Sequence, residues 1–140
     1  MATFKSFEEI EAWQKARALA KTIYLVTKGG SFSKDFELKN QINKSAGSVM
    51  DNIAEGFERS GNREFVMFLA IAKGSAGEVR SQLYRALDHG HISEHDFETL
   101  KSETEIVSKQ ISGLINYLNS SEMKGSKFVR EPEVNYNLEP

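Results

Sequence analysis

The residues best suited to metal or acid–base chemistry are the histidines, which all fall in one short stretch. His89, His91 and His95 lie near Asp88 and Asp96 in the sequence. Imidazole and carboxylate groups at this spacing can in principle bind a divalent metal ion. The alternative is an exposed polar turn carrying the charges that commonly collect at helix ends, and we favour it. We therefore predict neither a metal site nor a bound cofactor.

No other pattern in the chain indicates catalysis. A carboxylate-bridged di-iron bundle needs Glu-x-x-His pairs, and the sequence contains none. The segment Gly74-Ser75-Ala76-Gly77 is not a phosphate-binding loop, because it falls inside a predicted helix whose amides are already hydrogen-bonded. The absence of cysteine excludes disulfides, thiolate metal sites and a cysteine nucleophile. We expect a protein that is not an enzyme.

Composition indicates one ordinary globular domain. The chain has 140 residues, of which 27% are charged and 39% apolar, and its formal net charge of -2 gives no general attraction to polyanions. Residues 1–6 lack an apolar signal core, and no apolar run approaches the roughly 18 residues of a membrane span. We predict a cytoplasmic protein without membrane contact.

Hydrophobic periodicity predicts four helices with capping residues at their ends. Ser6 with Glu9 and Ser93 with Asp96 have the spacing of capping boxes. The predicted bounds are Ser6 to about Lys28, Ser33 or Lys34 to about Arg59, the Ser60-Gly61-Asn62 turn to Gly90, and Ser93 to about Ser120.

Each predicted helix carries one apolar row in steps of three and four residues. Long helices of this kind joined by short loops predict an all-α, antiparallel up-and-down four-helix bundle over residues 1–120. Residues 121–140 lose the period and are predicted to form a flexible tail with Phe128, Val129 and Tyr136 as anchors. The rows are Trp13, Ala16, Ala20, Ile23 and Thr27; Leu38, Ile42, Ala46, Val49, Ile53 and Phe57; Phe65, Leu69, Ala72, Ala76, Val79, Leu83 and Ala86; and Phe97, Leu100, Thr104, Val107, Ile111, Leu114 and Leu118.

The octet from Phe65 to Ala72 is apolar around the whole helix, which a helix buried on one side does not need. Self-association would cover its second side, and Gly74 and Gly77 favour this, since glycine inside a helix costs about 1 kcal/mol and usually reflects close packing. The alternative is a monomeric bundle in which the third helix lies centrally.

Polar residues form a row beside the apolar row on the second and third helices. Glu55 and Glu78 can pair with arginines of a neighbouring subunit, or the rows can be solvated faces with pairs inside each helix. Both alternatives remain open. The rows are Gln41, Ser45, Ser48, Asn52, Glu55 and Arg59, and Ser75, Glu78, Gln82, Arg85 and His89; the candidate arginines are Arg59, Arg80 and Arg85.

The segment Asn52-Ile53-Ala54-Glu55-Gly56, followed by Arg59, Phe65, Phe68-Leu69, Gly74-Ser75, Glu78 and Gln82-Leu83, resembles the four-helix bundle family of 23S rRNA intervening-sequence proteins. That family is similar to the accessory variability determinant of diversity-generating retroelements. The resemblance extends from about Phe7 to Leu118, and its most specific part is the segment from Asn52 to Gly56.

The resemblance implies a homopentameric ring of four-helix bundles with no established enzymatic activity. It also implies a reverse transcriptase or another protein as partner, with RNA or DNA bound through basic surface. The slightly acidic composition and Val79, where such sequences often have leucine, depart from the family's pattern. The residues predicted for a subunit interface or recognition are Asn52, Glu55, Arg59, Phe65, Phe68, Ser75, Glu78 and Gln82.

Basic residues on the first helix offer a second function. Arg17, Lys21 and Lys28 share a stripe with Tyr24, and Lys44 of the second helix can add to it. A ring would repeat such a stripe and make it a polyvalent phosphate-binding surface, although most such stripes are only solvated. We thus hold two hypotheses: an oligomeric scaffold for a protein or ribonucleoprotein partner, or a direct nucleic-acid-binding protein.

Overall fold

The computed structural model of this chain describes residues 4–59 and 61–120. Within these ranges the chain forms four α-helices and two short 3-10 turns, and it contains no strand. No helix in the described ranges combines the length and apolar character needed to cross a bilayer. The helices are α1 (Glu11–Thr27), α2 (Phe36–Glu58), α3 (Asn62–Asp88) and α4 (Glu94–Ser120), and the 3-10 turns are Phe7–Glu9 and Gly30–Lys34.

The helices pack around one core, each against two neighbours: α1 and α3 both contact α2 and α4. The connections are too short to cross the length of the bundle, so consecutive helices run in opposite directions. The predicted all-α four-helix bundle is confirmed. The predicted tail, residues 121–140 with Phe128, Val129 and Tyr136, lies outside the described residues.

The apolar rows predicted for α2, α3 and α4 are all buried, as the helical period requires. The row predicted for α1 is partly wrong, because Trp13 and Ala20 are only partly buried. The Trp13 ring instead packs edge-on against Phe7 of the preceding 3-10 turn, at 5.1 Å between centroids. The buried residues of α1 are Ala12, Ala16, Leu19, Ile23 and Thr27.

The starts of α1 and α2 differ from the predicted ones. Ile10 is extended (φ −77°, ψ 120°), so the helical chain is interrupted there and α1 does not begin at Ser6. Glu9 accepts a hydrogen bond from the Lys5 amide at 2.9 Å, and Ser6 makes no side-chain cap. At α2 the cap is Asp35, one residue beyond Lys34 and two beyond Ser33, the two predicted starts.

The turn between α3 and α4 agrees with its prediction. Gly90 has φ +75°, a conformation that glycine adopts without strain. The His91 amide donates to the Ala86 carbonyl at 2.9 Å and the Gly90 amide to Leu87 at 3.0 Å, the two bonds of a Schellman motif. Ser93 then caps α4 by accepting from the Asp96 amide at 3.1 Å.

Close approach between α2 and α3 depends on Gly56. A Cβ at this position would lie 2.7 Å from Cβ of Phe68 and 3.1 Å from Cδ1 of Phe65. Both distances are far below ordinary carbon contacts. Glycine is therefore required here by packing, within the segment on which the family resemblance depends most.

Candidate functional site

Short polar side chains join α2 to α3 along the seam where the two polar rows meet. The Ser48 and Ser75 hydroxyls are hydrogen-bonded at 2.9 Å. The side-chain amide of Asn52 donates from Nδ2 to the Ser48 backbone carbonyl at 2.8 Å and to the Ser48 hydroxyl at 2.9 Å. Ser45 and Ser75 are buried. These residues thus allow a neighbouring backbone to come close, and in the single chain that neighbour is the other polar row.

Beyond this seam the two rows separate into a polar cleft of about 520 Å³. Arg85 crosses its end by donating to Oε1 of Gln41 at 2.9 Å. Oε1 of Gln82 is buried and has no hydrogen-bond partner among the described residues. The cleft combines cationic, anionic and neutral polar groups, as suits a polar recognition surface. Its lining residues are Gln41, Lys44, Ser45, Ser48, Glu78, Ser81, Gln82 and Arg85.

Arg59 organises the other end of the seam. Its guanidinium lies 2.7 Å from the Glu55 carboxylate, 3.9 Å from that of Glu64 and 5.1 Å from the centre of the Phe68 ring. The hydrogen bond to Glu55 is the largest cause that raises the pKa of Arg59 above its ordinary value. In the single chain, therefore, Glu55 pairs with Arg59 at the end of its own helix. Three predicted recognition residues, Glu55, Arg59 and Phe68, lie together, and with Glu64 we call them the Arg59 cluster.

The apolar octet on α3 is divided between core and surface. Phe65 is fully buried and packs edge-on against Phe57, at 5.9 Å between ring centroids, so in the single chain its side chain belongs to the core. Because α3 packs against both α2 and α4, the core also takes Leu69 and Ala72. Met67 and Ile71 remain 58% and 49% exposed.

Small residues continue the line of these two side chains along the helix. We call this surface the exposed α3 face. Within the chain, nothing lies within 4 Å of a Cβ built on either of its glycines, Gly74 and Gly77. The two glycines predicted to reflect close packing therefore have no close contact in the single chain. The exposed α3 face consists of Met67, Ala70, Ile71, Gly74 and Gly77.

The remaining predicted interface residues differ in burial and in location. Ser75 is buried in the seam, while Asn52, Phe68 and Gln82 are partly buried. Glu78 is exposed and lines the polar cleft. The set is thus spread over the seam, the cleft and the Arg59 cluster, and it does not converge on one pocket.

The predicted basic residues lie on two surfaces. Arg17 and Lys21 are exposed on α1 and Lys28 is exposed at its C-cap, and Arg17 lies over the Trp13 ring at 5.8 Å. Lys28 lies 5.4 Å from the centre of the exposed Tyr24 ring. Lys44 belongs to the polar cleft between α2 and α3.

Two of the three histidines lie beside a carboxylate from a distant part of the sequence. His89 and His91 lie beside Asp35, whereas the predicted grouping was with Asp88 and Asp96. The hydrogen bond from His91 is the largest cause that lowers the pKa of Asp35 below its usual value. The available signal was an aspartate just before a helical period, which is a common N-cap.

Residues 8–113 match the model of a family described as 23S rRNA-intervening sequence protein. No curated protein matches the chain. A crystal structure of a protein of unknown function from the S23 ribosomal protein family of Bacteroides thetaiotaomicron is similar, with a TM-score of 0.68 and 22% sequence identity over 74% of this chain and 97% of that one. This second likeness concerns the fold.

Proposed function

The chain belongs to the 23S rRNA-intervening sequence protein family, and we propose that it is a non-catalytic, cytoplasmic, homo-oligomeric scaffold that binds a protein or ribonucleoprotein partner. The observation that carries the proposal is the exposed α3 face. The five-fold ring rests on the family resemblance of the sequence. A reverse transcriptase as the protein partner rests on the same resemblance.

The two glycines of the exposed α3 face are the first support. Each glycine inside a helix costs about 1 kcal/mol relative to alanine. Gly74 and Gly77 have open space where a Cβ would stand, so the single chain gains no packing from them. A second backbone at this face would benefit from their small size. The occupant that we propose is another copy of this chain.

The apolar side chains beside the glycines are the second support. Met67 and Ile71 are about half exposed, at 58% and 49%. Burying the exposed part of each would contribute roughly 1 kcal/mol. Two such side chains repeated at every subunit contact would add to the stability of the assembly, while the polar cleft and the Arg59 cluster would remain available for a partner.

Solution mass tests this proposal. We expect sedimentation velocity at micromolar concentration to show an oligomer, with five copies if the ring is correct. The double variant Met67→Lys/Ile71→Lys should lower the mass toward the single chain while circular dichroism remains helical, since both side chains are solvent-exposed. The control Leu25→Lys/Phe36→Lys adds the same charge at two other exposed apolar positions and should keep the oligomer.

Two results would contradict the proposal. A wild-type chain that sediments as a stable monomer at these concentrations would exclude the scaffold as described. An oligomer lost in the control but kept in the α3 variant would show that a different surface carries the assembly.

Direct nucleic-acid binding is the second candidate function, favoured by the cations and aromatic rings together on α1. Arg17 over Trp13 and Lys28 over Tyr24 provide positive charge beside rings on which bases can stack. The family's name refers to an rRNA intervening sequence, which makes RNA the first nucleic acid to test.

Salt dependence separates this function from protein binding. With single-stranded RNA as probe, affinity should fall steeply as salt rises, and the variant Arg17→Gln/Lys21→Gln/Lys28→Gln should reduce the slope of log K against log salt by about two. Lys44→Gln tests the cleft separately. A control that replaces three lysines outside α1 should change the slope less; these are Lys5, Lys34 and Lys101. Binding that ignores salt would refute this function.

A further inference from the structure

Three side chains from two distant parts of the chain meet at the end of the bundle where α2 begins and α3 ends. Oδ2 of Asp35 lies 2.9 Å from Nε2 of His91 and 3.4 Å from Nδ1 of His89. One ligand atom from each of the three residues lies within 4.8 Å of the other two. The cluster therefore has the size of a metal coordination shell.

Local backbone structure holds two of these side chains, those of His91 and Asp35, in place. His91 follows the left-handed Gly90, and its amide is fixed by the bond to the Ala86 carbonyl. Asp35 is held at the start of α2, because its Oδ1 accepts from the Leu38 amide at 3.2 Å while Oδ2 faces the histidines. The arrangement is therefore preorganised by a helix cap and a Schellman motif.

A second layer of contacts orients His91. Its side chain is only 9% exposed, and its ring stacks on buried Phe32 at 4.9 Å between centroids with an 18° tilt. Its other nitrogen, Nδ1, is hydrogen-bonded to the Ser31 hydroxyl at 2.7 Å. Ligating histidines usually have such a partner on the second ring nitrogen, because it fixes the ring and its tautomer.

We propose that this cluster is a binding site for a divalent first-row transition metal such as Zn²⁺, with Nδ1 of His89, Nε2 of His91 and Oδ2 of Asp35 as ligands. Two imidazoles and one carboxylate form a common ligand set for these ions. Metal–ligand bonds of 2.0–2.2 Å in tetrahedral geometry separate ligand atoms by about 3.4 Å. The separations of 2.9 and 3.4 Å, with the two histidine nitrogens within 4.8 Å of each other, can reach this geometry by side-chain adjustments.

The site would join the start of α2 to the connection between α3 and α4. Three protein ligands leave one coordination position for water or another group. The site is accessible from solvent, since the His89 side chain is 48% exposed and that of Asp35 is 26% exposed. The proposed site is independent of the scaffold function. It differs from the sequence-based expectation of no metal site because Asp35, which is distant in sequence, supplies the carboxylate.

The test uses the full chain after treatment with a chelator and buffer exchange. We expect titration calorimetry with Zn²⁺ alone to give one ion per chain, and the melting temperature to rise on addition of Zn²⁺. His89→Ala changes a half-exposed side chain, so the fold should remain while Zn²⁺ affinity falls by at least about 100-fold. Asp35→Asn keeps an oxygen for the helix cap and should also weaken binding. Ser31→Ala should weaken binding by about 10–100-fold.

His95→Ala is the matched control, because His95 is an exposed histidine of α4 outside the cluster. We expect its Zn²⁺ affinity to equal that of the wild type. The proposal is overturned if the wild type binds no Zn²⁺ at millimolar concentration, or if His89→Ala binds as tightly as the wild type. An equal loss in His95→Ala would also overturn it, because the ion would then be held by scattered surface imidazoles.

Discussion

Replacing Gly56 by alanine tests the packing of α2 against α3 most directly. The added Cβ would stand 2.7 Å from Cβ of Phe68 and 3.1 Å from Cδ1 of Phe65. Carbon atoms in contact normally stay about 3.5–4.0 Å apart. Rotation of the Phe68 side chain cannot relieve the overlap, because its Cβ is fixed to the backbone. The two helices must therefore move apart by several tenths of an ångström.

Two opposing contributions set the size of the effect. Overpacking of this kind costs about 1–3 kcal/mol, and an atom that cannot rotate away places the cost at the upper end. Alanine in a helix gains up to about 1 kcal/mol over glycine. We expect Gly56→Ala to lower the free energy of unfolding by about 2 kcal/mol. Gly47→Ala is the control in the same helix, and it should raise stability by about 0.5–1 kcal/mol, because nothing lies within 4 Å of its Cβ.

Urea unfolding followed by circular dichroism measures this difference. All variants must be compared at one protein concentration, because association would add to apparent stability. With a slope of about 2 kcal/mol per molar urea, the midpoint of Gly56→Ala should fall by about 1 M relative to the wild type. If Gly56→Ala unfolds at the same urea concentration as Gly47→Ala, or at a higher one, the close approach of α2 and α3 at this position is refuted.

Substitutions of three serines test one hydrogen bond at the seam and one at a helix end. Ser48→Ala and Ser75→Ala should each lower the free energy of unfolding by about 1 kcal/mol in urea unfolding. Because the two hydroxyls bond to each other, the double variant should lose less than the sum of the two single losses. Strict additivity would show that this hydrogen bond contributes nothing. Ser93→Ala should lower stability by about 1 kcal/mol by leaving the Asp96 amide without its cap, whereas Ser93→Asp should retain most of it in thermal unfolding. Equal stability of Ser93→Ala and the wild type would contradict the cap.

The buried faces of the helices and several of their capping residues can be predicted from the sequence of this chain. Rows such as Leu38, Ile42 and Ala46 are buried as predicted, because a repeat of three and four residues places them on one helix face. Gly90 and Ser93 also act as predicted, since a left-handed glycine and a serine cap involve only residues a few positions away. The buried face of the first helix was predicted less accurately, because Trp13 packs on Phe7 of the preceding 3-10 turn and not in the core.

The division of the apolar octet depended on tertiary packing. Sequence alone left two alternatives, a covered outer surface or a central third helix. Contacts of α3 with both α2 and α4 bury Phe65 and Leu69, and they leave Met67 and Ile71 at the surface. The need for glycine at position 56 also depends on tertiary packing, because the atoms that exclude a Cβ there belong to the next helix.

Four amphipathic helices, their approximate ends and most of their buried faces can be predicted from the amino-acid sequence, because they follow from interactions within a few residues of the chain. The contacts of Ser48 with Ser75 and of Asp35 with His89 and His91 become visible once the helices are packed together. The latter contacts join positions 54 and 56 residues apart, respectively. Such pairs depend on how whole helices align in the bundle, and no local periodicity or capping preference contains that information.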